Sequence, residues 1–335
     1  MTIIISGKGR SILESFEEKI AVVTGGGTGM GREIVCQLIS EGAHVAICDV
    51  IEKNLRETRN LAKKYGAGRI TTHICDVSDA SQQARFCEEV AAQHETEHID
   101  LLFNNAGIGA GGSIVAKDRS AWERTFNTCW YGVYYGYITF LPMLRASRES
   151  RIINTSSVNG FFASVGPYVP HTAYCAAKFA VKGFTEALIT DLRLNAPNVS
   201  CSVVMPGHIG TSIVENSRKL VREKNADEPT DSEVERAREM YLKAGLPVNN
   251  VPDEHIKNLM QQESDTFRDT ARTTAKDAAS IILNGVKEKR WRILVGKDAE
   301  FTDQAVREDP ESAYELKFYE RLAEQNQWPN MEDTK

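Results

Sequence analysis

The sequence predicts an α/β fold, a doubly wound parallel sheet with helices on both faces, from three features. Short β-rich runs alternate with helix-patterned segments over the first 200 residues, the sequence form of repeated strand–helix–strand units. A glycine cluster, TGGGTGMG at 24–31, stands where the first strand hands over to the first helix. The alternation resumes and ends at Val295 after one long charged excursion.

The elements follow in order. Residues 20–24 form an apolar run that breaks into glycine and then into a helical pattern at 32–42. A second run, 44–48, ends in Asp49. Helix-like 52–65, strand-like 70–75, helix-like 82–94 and strand-like 99–103 come next. A long helix around 121–146, a strand at 151–155, a helix at 173–194 and a strand at 200–205 continue the series. Residues 212–274 are charged and mostly helical in pattern, with loop signals at ADEPTDSE and GLPVNNVPDE. They hold too few apolar residues for a core of their own, which predicts a helical lid inserted into one domain. Helix 275–289 and strand 291–295 then complete the sheet. The single domain thus spans 20–335, after an N-terminal extension at 1–19. A tail at 298–335 contains one amphipathic candidate, ESAYELKFYERLAEQ.

Composition narrows the function. At 335 residues, 41% hydrophobic, 26% charged and a net charge of −6, the chain lacks the basic footprint that nucleic acid or an anionic membrane requires. Its seven cysteines form no CxxC, so neither a metal site nor a disulfide framework is expected, and a reducing compartment is. The start, MTIIISGKGR, is too short and too soon interrupted for a signal peptide. The most apolar long run, 130–144, falls short of a bilayer span and contains Gly132, Gly136 and Pro142. A cytoplasmic protein with no membrane span is predicted.

The glycine cluster has a chemical use as well as a structural one. Glycines between a strand and a helix let the backbone approach a pyrophosphate at the helix N-terminus. Asp49 ends the second strand, where a carboxylate accepts hydrogen bonds from a ribose diol and repels a 2′-phosphate. No Arg or Lys flanks Asp49 or sits in the glycine loop itself. NAD is therefore expected in preference to NADP.

Gly25, Gly29 and Gly31 follow a TGxxxGxG spacing, and four further motifs arrive in order: NNAG at 104–107, NTSS at 154–157, YCAAK at 174–178 and PGHIGT at 206–211. In this ordered set the chain resembles the short-chain dehydrogenase/reductases, whose fold is a Rossmann-type sheet. The resemblance implies that Thr28 and Met30 join the three glycines and Asp49 at the cofactor, and that Asp76 and Val77 hold the adenine. It implies that Asn105, Ala106 and Gly107 line the cofactor, and that Pro206, Gly207, Ile209 and Thr211 close over the nicotinamide. Ser157 would orient the substrate oxygen, Tyr174 would be the acid/base, and Lys178 would modulate it while holding the nicotinamide ribose. Association into a homodimer or homotetramer, through the helices at 121–146 and 173–194, is also implied.

A physical argument stands beside the resemblance. TAYCAAKF, 172–179, reads as a helix start with a hydroxyl cap at Thr172, and it sets Tyr174 one turn ahead of Lys178 on the same face. A tyrosine titrates near pH 10. An ammonium about 4 Å away contributes on the order of 4 kcal/mol at an effective dielectric of about 20, which predicts a phenol lowered by roughly three pK units before desolvation.

The chain departs from the family pattern at three places. Aligning Gly132, Val133, Gly136 and Pro142 with the family's motif puts Cys129 where an asparagine usually completes a tetrad. Asn127 lies about 200° around a helix from that position. Cys129 is expected to be tolerated and not catalytic. The segment between Ser157 and Tyr174 is longer than usual, and Phe161, Phe162, Tyr168 and Val169 in it are candidates for a pocket wall. The lid is also unusually long. Lid and aromatic loop together predict a bulky hydrophobic alcohol or ketone, aromatic or steroid-like. Parts of the lid and tail are similar to dehydrogenases of benzylic alcohols from lignin-derived aryl ethers. An NADPH-dependent reductase of acyl chains and a non-catalytic dinucleotide sensor are the alternatives.

Overall fold

The computed structural model describes residues 15–110, 112–115, 119–167, 169–221, 228–243 and 245–324. In chain order the first elements are β1 (Ile20–Thr24), α1 (Gly29–Ser40), β2 (His44–Asp49), α2 (Glu52–Ala62), β3 (Ile70–Ile74), α3 (Ala80–His94) and β4 (Leu101–Asn104). α4 (Arg119–Phe126), a π-helical turn (Asn127–Tyr131), α5 (Gly132–Ala146), β5 (Ser150–Thr155), α6 (Thr172–Asn195) and β6 (Val199–Pro206) follow. Then come β7 (Ile209–Gly210), α7 (Ile213–Val221), α8 (Asp231–Lys243), α9 (Asp253–Asp269), β8 (Thr273–Thr274) and α10 (Ala275–Lys287). β9 (Arg292–Val295), α11 (Lys297–Glu308) and α12 (Leu316–Glu324) end the series.

Seven strands form one parallel sheet in the order β3-β2-β1-β4-β5-β6-β9, as the sequence pattern predicts. Its strands read as continuous apolar runs because both faces are covered. In β1, Ala21 and Val23 enter one core with Ile34, Leu38 and Ile282. Val22 points the other way, into a second core with Phe86, Phe140 and Leu188. The winding reverses between β1 and β4, and a sheet of this kind opens a crevice at the carboxyl ends of the strands at that point.

Four features differ from the sequence expectation or refine it. Phe16, within the N-terminal extension, is fully buried in the first core. The predicted helix at 121–146 is broken by the π-helical turn, which contains Cys129. The pairing of β7 with β8 closes the base of the lid, and the lid holds more core than its charge implies. Val234, Ala237, Tyr241, Val248, Ile256 and Met260 form an apolar cluster of their own, since each lid helix spends one narrow face on its neighbours. Finally, α12 docks its apolar face, Phe318 and Leu322, onto Phe162.

Candidate active site

The glycine loop is built by close approach. Gly25 has φ +64°, and a Cβ there would lie 2.8 Å from the Ala106 Cα. A Cβ at Gly31 would lie 2.1 Å from the Gly25 carbonyl oxygen. α1 therefore begins tight against the ends of β1 and β4. Its first turn has no acidic residue, and its N-cap, Thr28, makes no side-chain cap hydrogen bond. Amides left open at a helix N-terminus favour an anion. An open cleft of about 920 Å³ lies over them.

Twelve of the predicted cofactor residues line that cleft: Gly25, Thr28, Gly29, Met30, Gly31, Asp49, Asp76, Val77, Asn105, Ala106, Gly107 and Thr211. Asn105 keeps a buried Oδ1 without a partner, while its Nδ2 donates to the Thr24 carbonyl at 3.1 Å. The glycine cradle and the open helix end fit a dinucleotide pyrophosphate. Pro206, Gly207 and Ile209 stand outside these walls, and the Ile209 side chain is packed in the first core. The turn they form is instead fixed from the tail. Asp298 Oδ2 accepts the His208 amide at 2.6 Å, and a Cβ at Gly207 would collide with that carboxylate, 2.0 Å away.

Sequence reasoning missed Arg124, Thr128 and Asn216 in the cleft wall. Arg124 donates to Asp76 Oδ2 at 2.6 Å, and Asn216 on the lid helix α7 donates to Thr28 Oγ1 at 3.2 Å. These contacts link elements far apart in sequence, so no local pattern signals them. Asp76 also receives Ser78 at Oδ1. Although burial works to raise its pKa, these hydrogen bonds and Arg124 leave it lowered.

Asp49 Oδ2 accepts the Gly27 amide at 3.1 Å, and Oδ1 accepts the Ile51 amide at 3.1 Å. Burial raises its pKa, and these amides, the Val50 amide and the charge of Arg32 pull against that rise. A cation thus stands closer to Asp49 than the sequence reading allows. The Arg32 guanidinium is held by the Gly27 carbonyl, Thr58 and Glu57.

At the carboxyl ends of β5 and β6, α6 presents Tyr174 and Lys178 together. Lys178 is 2% exposed, and its Nζ donates to the Thr155 carbonyl at 2.8 Å. Ser157 Oγ accepts the Asn159 amide at 3.1 Å and stands near enough to the Tyr174 phenol to influence its titration. Burial pushes the phenol well above its ordinary range, the nearby Cys129 thiol adds to the rise, and Ser157 pulls it back. Lys178 is lowered by burial, opposed by Cys129. The predicted lowering of Tyr174 is therefore reversed in the chain by itself, because burial of the phenol dominates. Thr172 does not cap α6. His171 occupies the N-cap position, and the Thr172 hydroxyl donates to the Gly112 carbonyl at 2.9 Å.

His171 tilts over Tyr174 with ring centroids 4.8 Å apart, and burial holds its imidazole down to about 4. Cys129 faces Gly107 beside Lys178. A Cβ on Gly107 would lie 3.4 Å from Lys178 Nζ and 3.5 Å from Cys129 Sγ, and the thiol donates to the Ile108 carbonyl at 3.3 Å. Of the predicted pocket-wall residues, Phe162 is fully buried core, Phe161 is half-buried beside it, Val169 is exposed, and Tyr168 lies outside the described residues. Phe162 fails as a wall because α12 covers it.

A glycine turn at the reversal of the sheet, with serine, tyrosine and lysine gathered at its carboxyl edge, defines an α/β oxidoreductase. A family model of short chain dehydrogenases matches residues 19–221, and the chain belongs to the short-chain dehydrogenase/reductase family. It is 31% identical over 295 residues to the putative oxidoreductase SadH of Mycobacterium tuberculosis, covering 88% of this chain and 92% of that protein. A short-chain dehydrogenase/reductase from Burkholderia phymatum, solved in complex with NAD, superposes with a TM-score of 0.70 at 28% identity, covering 89% of this chain and 95% of that one. A metagenomic short-chain oxidoreductase solved with NADP gives 0.51 at 31% identity, over 58% of this chain and 84% of that one.

Proposed function

We propose that this enzyme is an NAD-dependent dehydrogenase that interconverts a secondary alcohol and a ketone on a bulky hydrophobic substrate, aromatic or steroid-like. The observation that carries the reading is the geometry of Ser157. Its Oγ accepts from Asn159, which leaves its own hydrogen to donate to a substrate oxygen beside the Tyr174 phenol. A nicotinamide dinucleotide, held by Gly25, Gly29, Gly31, Asp49, Asn105 and Lys178, supplies the hydride donor or acceptor. Tyr174 takes the carbinol proton in oxidation and returns it in reduction. Lys178, fixed on Thr155, places a positive charge under the phenol and favours the phenolate.

Asp49 supports NAD, as does the NAD-bound relative, while the NADP-bound relative marks the competing choice. The long lid supports a large hydrophobic substrate. Seven free thiols, six of them buried, support a reducing cytoplasmic setting. Among the described residues no helix is long and apolar enough to cross a membrane.

The test is an activity screen of the purified enzyme with NAD⁺ and NADP⁺ against aryl, steroid and aliphatic secondary alcohols, alongside Tyr174→Phe. Oxidation of bulky secondary alcohols with NAD⁺, abolished in the variant, is the expected result. A strong NADP⁺ preference or full turnover in the variant overturns the corresponding part of the reading.

A further inference from the structure

The long segment after Ser157, one of the departures from the family pattern, packs against the C-terminal tail. Phe162 is fully buried among Ala305, Ala313, Phe318 and Leu322. Its ring stacks on Tyr314 at 5.5 Å and lies 5.4 Å from Phe318 and 6.0 Å from Tyr319. Two phenols of the tail then take up polar groups of the loop. Tyr314 Oη accepts the Ala163 amide at 3.1 Å, and Tyr319 Oη donates to Ser164 Oγ at 2.8 Å.

These bonds continue inward. Asn159 is 4% exposed, and its Nδ2 donates to the carbonyls of Phe162 at 3.0 Å and Ser164 at 2.8 Å. Its main-chain amide donates to Ser157 Oγ at 3.1 Å. A hydrogen-bonded path thus runs from the tail phenols through the Phe162–Ser164 backbone and Asn159 to the serine hydroxyl. A hydroxyl rotates freely unless its lone pairs are engaged. The amide that engages this one sits in a single 3₁₀ turn, Val158–Gly160, whose outer side is held by Asn159 and the loop it grips.

We propose that the tail is a positioning element for Ser157, with Tyr314 and Tyr319 holding the loop through which Asn159 aims the serine hydroxyl at the substrate oxygen. The loop and the tail are a matched pair: the extra loop residues supply the aromatic plug, and the tail supplies its socket. This rests on the reading that Ser157 orients that oxygen.

The experiment is a double-mutant cycle on the full chain. Tyr314→Phe and Tyr319→Phe keep both rings and remove only the hydroxyls. Combined, they are expected to lower kcat for alcohol oxidation by about tenfold, the worth of one or two ordinary hydrogen bonds. The Kd for NAD⁺, read by fluorescence titration, stays unchanged. In a Ser157→Ala background the same pair is expected to be silent, because residues that act through one group are not additive. An equal loss in both backgrounds assigns the tail a general structural role and overturns the proposal, as does no loss in either. Tyr174→Phe in the same assay separates the two levels. Retained turnover there sinks the underlying mechanism, whereas loss there with silent tail variants sinks only the positioning role.

Discussion

Lys178 Nζ lies 5.3 Å from the centroid of the Tyr174 ring, held beneath it by the Thr155 carbonyl at 2.8 Å. The ammonium is anchored by the sheet and not by the residue it serves. Tyr174→Phe keeps the ring, and so the packing, and removes only the proton carrier. Its kcat is expected to fall by about 10²- to 10⁴-fold with the melting temperature nearly unchanged. A variant within a few-fold of the parent in steady-state turnover would remove Tyr174 from the mechanism.

The raised phenol fixes the sign of the pH dependence. Oxidation needs the phenolate, and its fraction grows about tenfold per pH unit below the phenol pKa. Alcohol oxidation should therefore climb from neutral into alkaline solution. Ketone reduction needs the phenol, which burial keeps protonated, and should stay level over the same range. Initial rates in both directions under saturating substrates check this, and an oxidation rate that falls as pH rises contradicts it.

In the proposed NAD-dependent reading Asp49 sets the cofactor choice by charge, while its two oxygens also tie down the amides of Gly27 and Ile51. Asp49→Asn preserves shape and one acceptor and removes the charge that opposes a 2′-phosphate. The ratio of kcat/KM for NADP⁺ to that for NAD⁺ is expected to rise by about tenfold or more, since a like charge nearby is worth on the order of several kcal/mol at an effective dielectric of about 20. An unchanged ratio would assign the choice to other residues, Arg32 first among them.

The site was legible in the sequence wherever chemistry is local. Gly25, Gly29 and Gly31 announce a turn, and Tyr174 and Lys178 share a helix face by spacing alone. What was not legible depends on partners distant along the chain. Nothing near Asp76 announces Arg124, nothing near Ser157 announces Tyr319, and nothing in PGHIGT announces Asp298. The same holds for the sign of the Tyr174 shift. Spacing gives the ammonium, but only the fold gives the burial that opposes it. Phe162 reads as a pocket wall because it lies in the apolar, aromatic loop that leaves Ser157, while its cover, α12, comes some 150 residues later.

Cys129 is fully buried and faces both Gly107 and Lys178, yet its thiol makes only a weak donation to the Ile108 carbonyl. Main-chain groups of the π-helical turn remain when the side chain is removed. Cys129→Ala is expected to cost about 1 kcal/mol of stability and to lower turnover far less than Tyr174→Phe does. Denaturant melts and steady-state rates on both variants decide it; equal losses of turnover would make the thiol part of the proton path.

Self-association is expected through the outer faces of α5 and α6. Ile138 is 44% exposed and Phe179 42%, with Tyr131 and Tyr134 half-exposed in the same region of the chain. Apolar side chains left in water on long helices are the kind that a partner covers. Ile138→Glu with Phe179→Glu should convert a dimer or tetramer to a smaller species by light scattering. An oligomer that survives both charges uses another face.

At the edge of the sheet, His73 and His94 share one hydroxyl. His73 Nε2 lies 2.9 Å and His94 Nε2 3.0 Å from Thr71 Oγ1, while His73 Nδ1 lies 2.6 Å from Glu89 Oε2. Burial holds both imidazoles below the ordinary value of 6.5, and Arg69, His44 and His73 add to the effect on His94, which falls to about 4. The unfolded chain then binds more protons than the folded one as pH drops from 6.5 towards 4, so stability is lost across that window and is fully present above it. For His94 alone the loss is on the order of 3 kcal/mol. His94→Gln keeps a hydrogen-bonding group at Thr71 and removes the titration, so its unfolding free energy should depend less on pH between those limits than the parent's. Urea melts at a series of pH values measure both slopes, and parallel slopes for parent and variant would show that His94 does not carry the acid sensitivity.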